Sequence, residues 1–98
     1  MVNAIILINV AQGQVPEVIE GLVRVHGVAE AYSVAGSYDV VAIVRVRLHE
    51  ELADLVAMHL QRIPGITATN TLIAFRAYSQ RDLAAMWDIG FEEEQTSM

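Results

Sequence analysis

Arg24-Val25-His26-Gly27-Val28 and, 38 residues later, Arg62-Ile63-Pro64-Gly65-Ile66 are two versions of one phrase. In each, an apolar helical stripe ends, a glycine follows, and a run of strand-forming residues begins. Ahead of Gly27, residues Val15, Val18, Ile19, Leu22 and Val23 recur at the spacing of one helix face. Pro16 suits the first turn of that helix, where a missing N–H costs nothing. Ahead of Gly65, Leu52, Leu55, Val56, Leu60 and Ile63 predict a second helix over 49–63. Its early acids Glu50, Glu51 and Asp54 lie where the helix dipole favours negative charge.

Working outward, alternation and β-branched content predict strands over 2–10, 28–35, 40–47 and 66–78. The order is βαββαβ, two β-α-β halves related by pseudo-two-fold symmetry. That order implies a ferredoxin-like α+β sandwich with a four-stranded antiparallel sheet. Right-handed crossovers put both helices on one face of it. Residues 1–78 then form one ligand-binding domain, and 79–98 a C-terminal extension. Ser79-Gln80-Arg81-Asp82 resembles a capping box. It predicts a short helix over about 80–87, stopped near Gly90, before a disordered acidic end at 92–98.

A one-sided helical cover has a consequence. Val2, Ala4, Ile6, Ile8 and Val10 line one face of the first strand, and Val40, Ala42, Val44 and Val46 one face of the third. Ile5, Leu7, Val41 and Ile43 point the other way and would meet water. A patch of large aliphatics on so small a domain marks an interface. We expect these four to form the contact in a homodimer that packs sheet on sheet. The competing cover is the C-terminal extension folding back, with Leu83, Met86, Trp87, Ile89 and Phe91. Dimerisation is preferred because that segment is short and ends in acids.

The composition agrees. Of 98 residues, 54% are hydrophobic and 18% charged, against roughly 45–50% and 25% in average domains. No apolar run approaches the ~20 residues of a membrane span, and no signal peptide is visible at the start. Net charge is −6, and all six basic residues are dispersed arginines, which disfavours a nucleic-acid face. Cysteine is absent, which excludes disulfides, thiolate catalysis and Cys-based zinc sites. We expect a cytoplasmic protein without metal or cofactor.

Candidate chemistry is sparse. His26, His49 and His59 form no i,i+4 ligand pair on one helix face. Ser33, Ser37 and Ser79 lack convincing His and acid partners for a nucleophilic triad. Gly13, Gly21 and Gly27 do not make a phosphate loop. Arg45 and Arg47 alternate on a strand, fit either for an anion or for acids across an interface. The Gly36-Ser37-Tyr38-Asp39 connection can be read as a plain hairpin turn. Its exposed N–H groups and Asp39 could equally hold a zwitterion between subunits.

The run Val34-Ala35-Gly36-Ser37-Tyr38-Asp39-Val40-Val41 resembles the Gly-x-x-Asp hairpin of the Lrp/AsnC transcription regulators. Leu60-Gln61-Arg62-Ile63-Pro64-Gly65-Ile66 and the following Thr67-Ala68-Thr69-Asn70-Thr71-Leu72-Ile73 resemble the second half of that family's effector-binding (RAM) domain. The resemblance covers about residues 2–78. It implies a dimeric α+β barrel type of assembly, growing to tetramers or octamers, with a free amino acid bound between subunits. It implies a ligand site at Gly36, Tyr38 and Asp39, with hydroxyls from Thr69 and Thr71. The first strand starts at Val2, so the sequence resembles a stand-alone RAM form without a helix-turn-helix. Such a form could associate with full-length Lrp/AsnC regulators. An alternative is a small dimeric α+β barrel enzyme of monooxygenase or isomerase type. It would need a polar pocket between sheet and helices, where the inward residues are aliphatic. An ACT-like amino-acid-binding module is a third reading.

Overall fold

The computed structural model describes residues 1–80. The predicted extension from Arg81 onward, including most of its helix, lies outside the described residues. Within them the chain runs β1 (Val2–Val10), α1 (Val15–Val23), β2 (Val28–Ser33), β3 (Val40–Val46), a helical segment beginning with α2 (His49–Asp54), and β4 (Ile66–Ala74). The four strands form one antiparallel sheet in the order β2-β3-β1-β4. This is the expected βαββαβ sandwich.

The two glycines of the repeated phrase do matching work. Both have left-handed φ, +102° at Gly27 and +100° at Gly65, a conformation that costs other L-residues about 1–2 kcal/mol. A Cβ on Gly27 would stand 2.8 Å from Val46 Cγ1 and 3.1 Å from Leu55 Cδ1. A Cβ on Gly65 would stand 3.0 Å from Val18 Cγ2. The Gly27 carbonyl accepts the Arg45 N–H at 2.8 Å, and the Gly65 carbonyl accepts the Ala11 N–H at 2.7 Å. Each glycine therefore seats its own half against the helix of the other.

Strand alternation sorts the apolar residues as expected. Ala4, Ile6, Ile8, Val40, Ala42, Val44 and Val46 are buried together with Val18, Leu22, Leu52, Leu55 and Leu60 of the helical segments. The second segment is less regular than its stripe suggests. After α2 it widens into a π-helical stretch, Leu55–His59, and tightens into a 3-10 turn, Leu60–Arg62. The Leu60 N–H donates to the Leu55 carbonyl, an i→i+5 bond. That wide turn lets Leu55 and Leu60, five apart, both enter the core. At the start of α2, Glu51 Oε1 accepts the N–H groups of Arg47 and Leu48, each at 2.9 Å. This is half a capping box, because Leu48 has no side-chain oxygen to return the bond.

Strand ends are shorter than predicted. β2 stops at Ser33, β3 at Val46, and β4 at Ala74, not Tyr78. For β4 the reason is its partner. Ala74 pairs with Asn3, and β1 begins only one residue earlier, at Val2, so no strand is left for residues 76–78 to pair with. Phe75 and Tyr78 are left exposed.

Candidate functional site

The face opposite the helices is apolar at its centre. Ile5 pairs with Ile43, and Leu7 with Val41, so the four expected interface residues form one contiguous block. Two neighbours extend it: Leu72 beside Ile5 and Tyr32 beside Val41. Leu72 is 47% exposed and Tyr32 49%. Neither was in the sequence-based set, because the pairing register that places them is not written in any local pattern.

At one end of this face sits the hairpin. Gly36 takes φ +136° on the surface, with open space where a Cβ would stand. Asp39 is tied to the sheet. Its N–H donates to the Ile8 carbonyl at 3.0 Å, its carbonyl accepts the Val34 N–H at 3.0 Å, and its Oδ2 accepts the Val10 N–H at 2.8 Å. Val10 lies where the β1–β4 register shifts by a bulge between Asn9 and Val10. A bulge leaves an amide without its ladder partner, and the Asp39 carboxylate supplies one. Tyr38 is half-buried, and its hydroxyl accepts a 3.5 Å hydrogen bond from Asn70 Nδ2 on β4.

Asn70 pairs with Leu7, so it lies on the open face. Thr69 and Thr71 alternate with it and pair with the buried residues Ile8 and Ile6. They therefore project from the helix side. Val40 and Thr69 flank Ile8 from opposite sides, two strand spacings or roughly 10 Å apart. Thr71 lines a groove between the second helical segment and β4, with His49, Leu52, Ala53, Val56 and Ile73. The sequence reading put Tyr38, Thr69 and Thr71 in one site. In a single chain the tyrosine bonds across the open face while the threonines face the other way. The Asn70 contact and the Asp39–Val10 bond were not foreseen; both depend on which strands are neighbours.

Electrostatics at the open face centre on Glu30. Its Oε2 accepts a 2.5 Å hydrogen bond from the Tyr32 hydroxyl, and its Oε1 lies 3.9 Å from Arg45 Nη2. The hydrogen bond to Glu30, and then that residue's charge, raise the Tyr32 phenol above its ordinary value of 10.0. Among the described residues no group of three or more acids and histidines could hold a metal ion. No helix there is long and apolar enough to cross a membrane.

A four-stranded sheet with one covered face, one bare apolar face and a Gly-x-x-Asp hairpin tied to its central strand defines a small α+β ligand-binding module. This chain belongs to the Lrp/AsnC ligand-binding domain family, whose model matches residues 3–84. Its homologues are transcription regulators. It is 34% identical over 77 residues to the HTH-type transcriptional regulator FL11 of Pyrococcus abyssi, a match covering 79% of this chain and 50% of FL11. The chain thus spans about half the length of that regulator. Among solved structures, TTHA0845 from Thermus thermophilus is 41% identical with a TM-score of 0.77, covering 82% of this chain and 100% of that one. AsnC of E. coli is 27% identical with a TM-score of 0.76, over 82% of this chain and 54% of AsnC. A feast or famine regulatory protein from M. tuberculosis, solved with L-methionine, is 26% identical with a TM-score of 0.67, over 83% of this chain and 55% of that protein.

Proposed function

We propose that this chain is an amino-acid-sensing regulatory domain. It self-associates through the bare sheet face, binds a free amino acid between subunits near Gly36, Tyr38 and Asp39, and modulates Lrp/AsnC-type transcription regulation. The observation that carries this reading is the division of the candidate ligand groups between the two sides of one sheet. A pocket that uses both the hairpin and the Thr69/Thr71 hydroxyls draws them from different protomers. Such a site is whole in the assembly and half-present in the lone chain. A ligand shifts an equilibrium by its differential affinity for the two states, so a shared site couples amino-acid level to assembly. Association with full-length regulators through the same surfaces, in the cytoplasm, is the corresponding route to transcription. The L-methionine complex of the M. tuberculosis relative supports the ligand class.

The enzyme alternative asks for a polar pocket between sheet and helices. Among the described residues the core has no buried polar or charged side chain, which favours the sensing reading. The test is thermal melting against each of the twenty amino acids, with particle mass measured alongside. A ligand at 100 times its Kd stabilises by about 2.7 kcal/mol, a shift well within detection. A flat response to all twenty defeats the proposal.

A further inference from the structure

The helical cover stops short of the outermost strand. Thr69, Thr71 and Ile73 pair with Ile8, Ile6 and Ala4, three residues buried beneath the helices. They stand on the covered side of the sheet, yet none of them is buried. Ile73 is 44% exposed, while Ala4 beside it is 1% exposed. β4 is an edge strand, so among the described residues no further strand closes that flank. What remains is a groove of about 320 Å³ between the second helical segment and β4. Leu52, Ala53 and Val56 wall it on the helical side and Ile73 on the strand, with His49 and Thr71 as its two polar side chains. Among the described residues no acid and no arginine lines it. It lies on the other side of the sheet from Ile5, Leu7, Val41 and Ile43, so packing sheet on sheet does not cover it.

The sensing role proposed above draws the Thr71 hydroxyl into the ligand site, and Thr71 lines this groove. Resting on that reading, we propose that the groove receives the side chain of the sensed amino acid, and that this side chain is aliphatic or a thioether, of the leucine, isoleucine, valine or methionine kind. Size agrees: pockets for small ligands run from about 300 Å³ upward, so this one suits a single amino acid and little more. Charge decides the class. The lining offers no acid to a cationic side chain, and to an anionic one only the exposed His49. Either would lose water without an adequate partner. An aliphatic chain gains by burial, about tenfold or more over alanine for a group the size of leucine or methionine.

Calorimetric titration of the full chain with each of the twenty amino acids tests it, with particle mass measured alongside. The parent should bind an aliphatic amino acid or methionine best, and about tenfold or more tightly than alanine, asparagine, glutamate or lysine. Ala53→Leu adds bulk to the groove from an exposed position on α2, with a residue that suits a helix. It should weaken the best ligand about tenfold or more, with the unliganded chain melting near the parent. Val56→Ala enlarges the groove and should move the ranking toward phenylalanine. A parent that prefers any other kind of side chain overturns the inference and leaves the sensing role standing. An aliphatic preference whose strength ignores Ala53→Leu, or whose ranking ignores Val56→Ala, overturns it too; if only the particle mass responds, the groove is a contact between subunits. No heat with any of the twenty defeats the sensing role itself, and the inference with it.

Discussion

Asp39 accepts the backbone N–H of Val10 at 2.8 Å, across 29 positions of sequence. The bond joins the hairpin that carries the candidate ligand site to the bulge that ends the central strand. A structural bond and the proposed ligand contact therefore fall on one carboxylate, and a mutation there tests both. Asp39→Ala removes a charge-assisted bond and strands a part-buried amide, at a cost of about 1–3 kcal/mol. For a domain this size each kcal/mol is worth roughly 4–8 °C of Tm. Asp39→Asn keeps an oxygen for Val10 and removes the charge. We expect it to melt within about 3 °C of the parent while losing the amino-acid-induced shift. Differential scanning fluorimetry of both variants, with and without ligand, checks the separation.

The bare face gives a second test. Ile43→Asp places a carboxylate at the middle of the block formed with Ile5, Leu7 and Val41. An unpaired charge enclosed in an interface costs about 3–5 kcal/mol, so self-association should weaken by at least two orders of magnitude. In the free chain Ile43 is half-exposed, so far-UV circular dichroism should hardly change. Sedimentation velocity should report the loss of the dimer. A variant sedimenting like the parent would remove this face from the assembly.

The paired glycines make a graded prediction. Gly65→Ala adds the left-handed penalty, about 1–2 kcal/mol, plus contacts at 3.0 Å with Gln14 Cβ and Val18 Cγ2. Gly27→Ala adds the same penalty and a closer 2.8 Å approach to Val46 Cγ1, inside the core. Gly27→Ala should be the more damaging, lowering the urea midpoint further than Gly65→Ala with an unchanged m-value.

The Tyr32–Glu30 bond predicts a pH dependence at the alkaline end. The folded phenol titrates above 10.0, the value assigned to it unfolded. The protonated form is the hydrogen-bonded one, so its contribution is fully present below the unfolded value. It disappears as pH rises through the higher folded one. Stability should fall in that window, and Tyr32→Phe should flatten the fall. Urea titrations at stepped alkaline pH, followed by phenolate absorbance, measure both.

What the sequence made legible is what repeats locally. The helical stripes, the alternation in β1 and β3, and the phrase around Gly27 and Gly65 each encode their role within a few residues. The Ile5, Leu7, Val41 and Ile43 block followed from alternation plus the handedness of crossovers. Leu72, Tyr32 and Asn70 were illegible because their neighbours are set by register, which no short window contains. Thr69 and Thr71 show the same limit. Their alternation with Asn70 was visible, but the side they face depends on the pairing of Ile6 with Thr71 and Ile8 with Thr69. The π-helical stretch was hidden because Leu55 and Leu60 fit the expected stripe well enough to suggest an ordinary helix.

The reciprocal seating of Gly27 on Leu55 and Gly65 on Val18 bears on how the chain comes apart. Neither β-α-β half can loosen its glycine turn without disturbing the helix that shelters the other. Opening should be all-or-none from β1 through β4, with amide exchange protection of similar depth in both halves. A module built this way has no half that can melt alone, so the sensing role proposed for it would have to run through the whole folded unit and whatever packs against it.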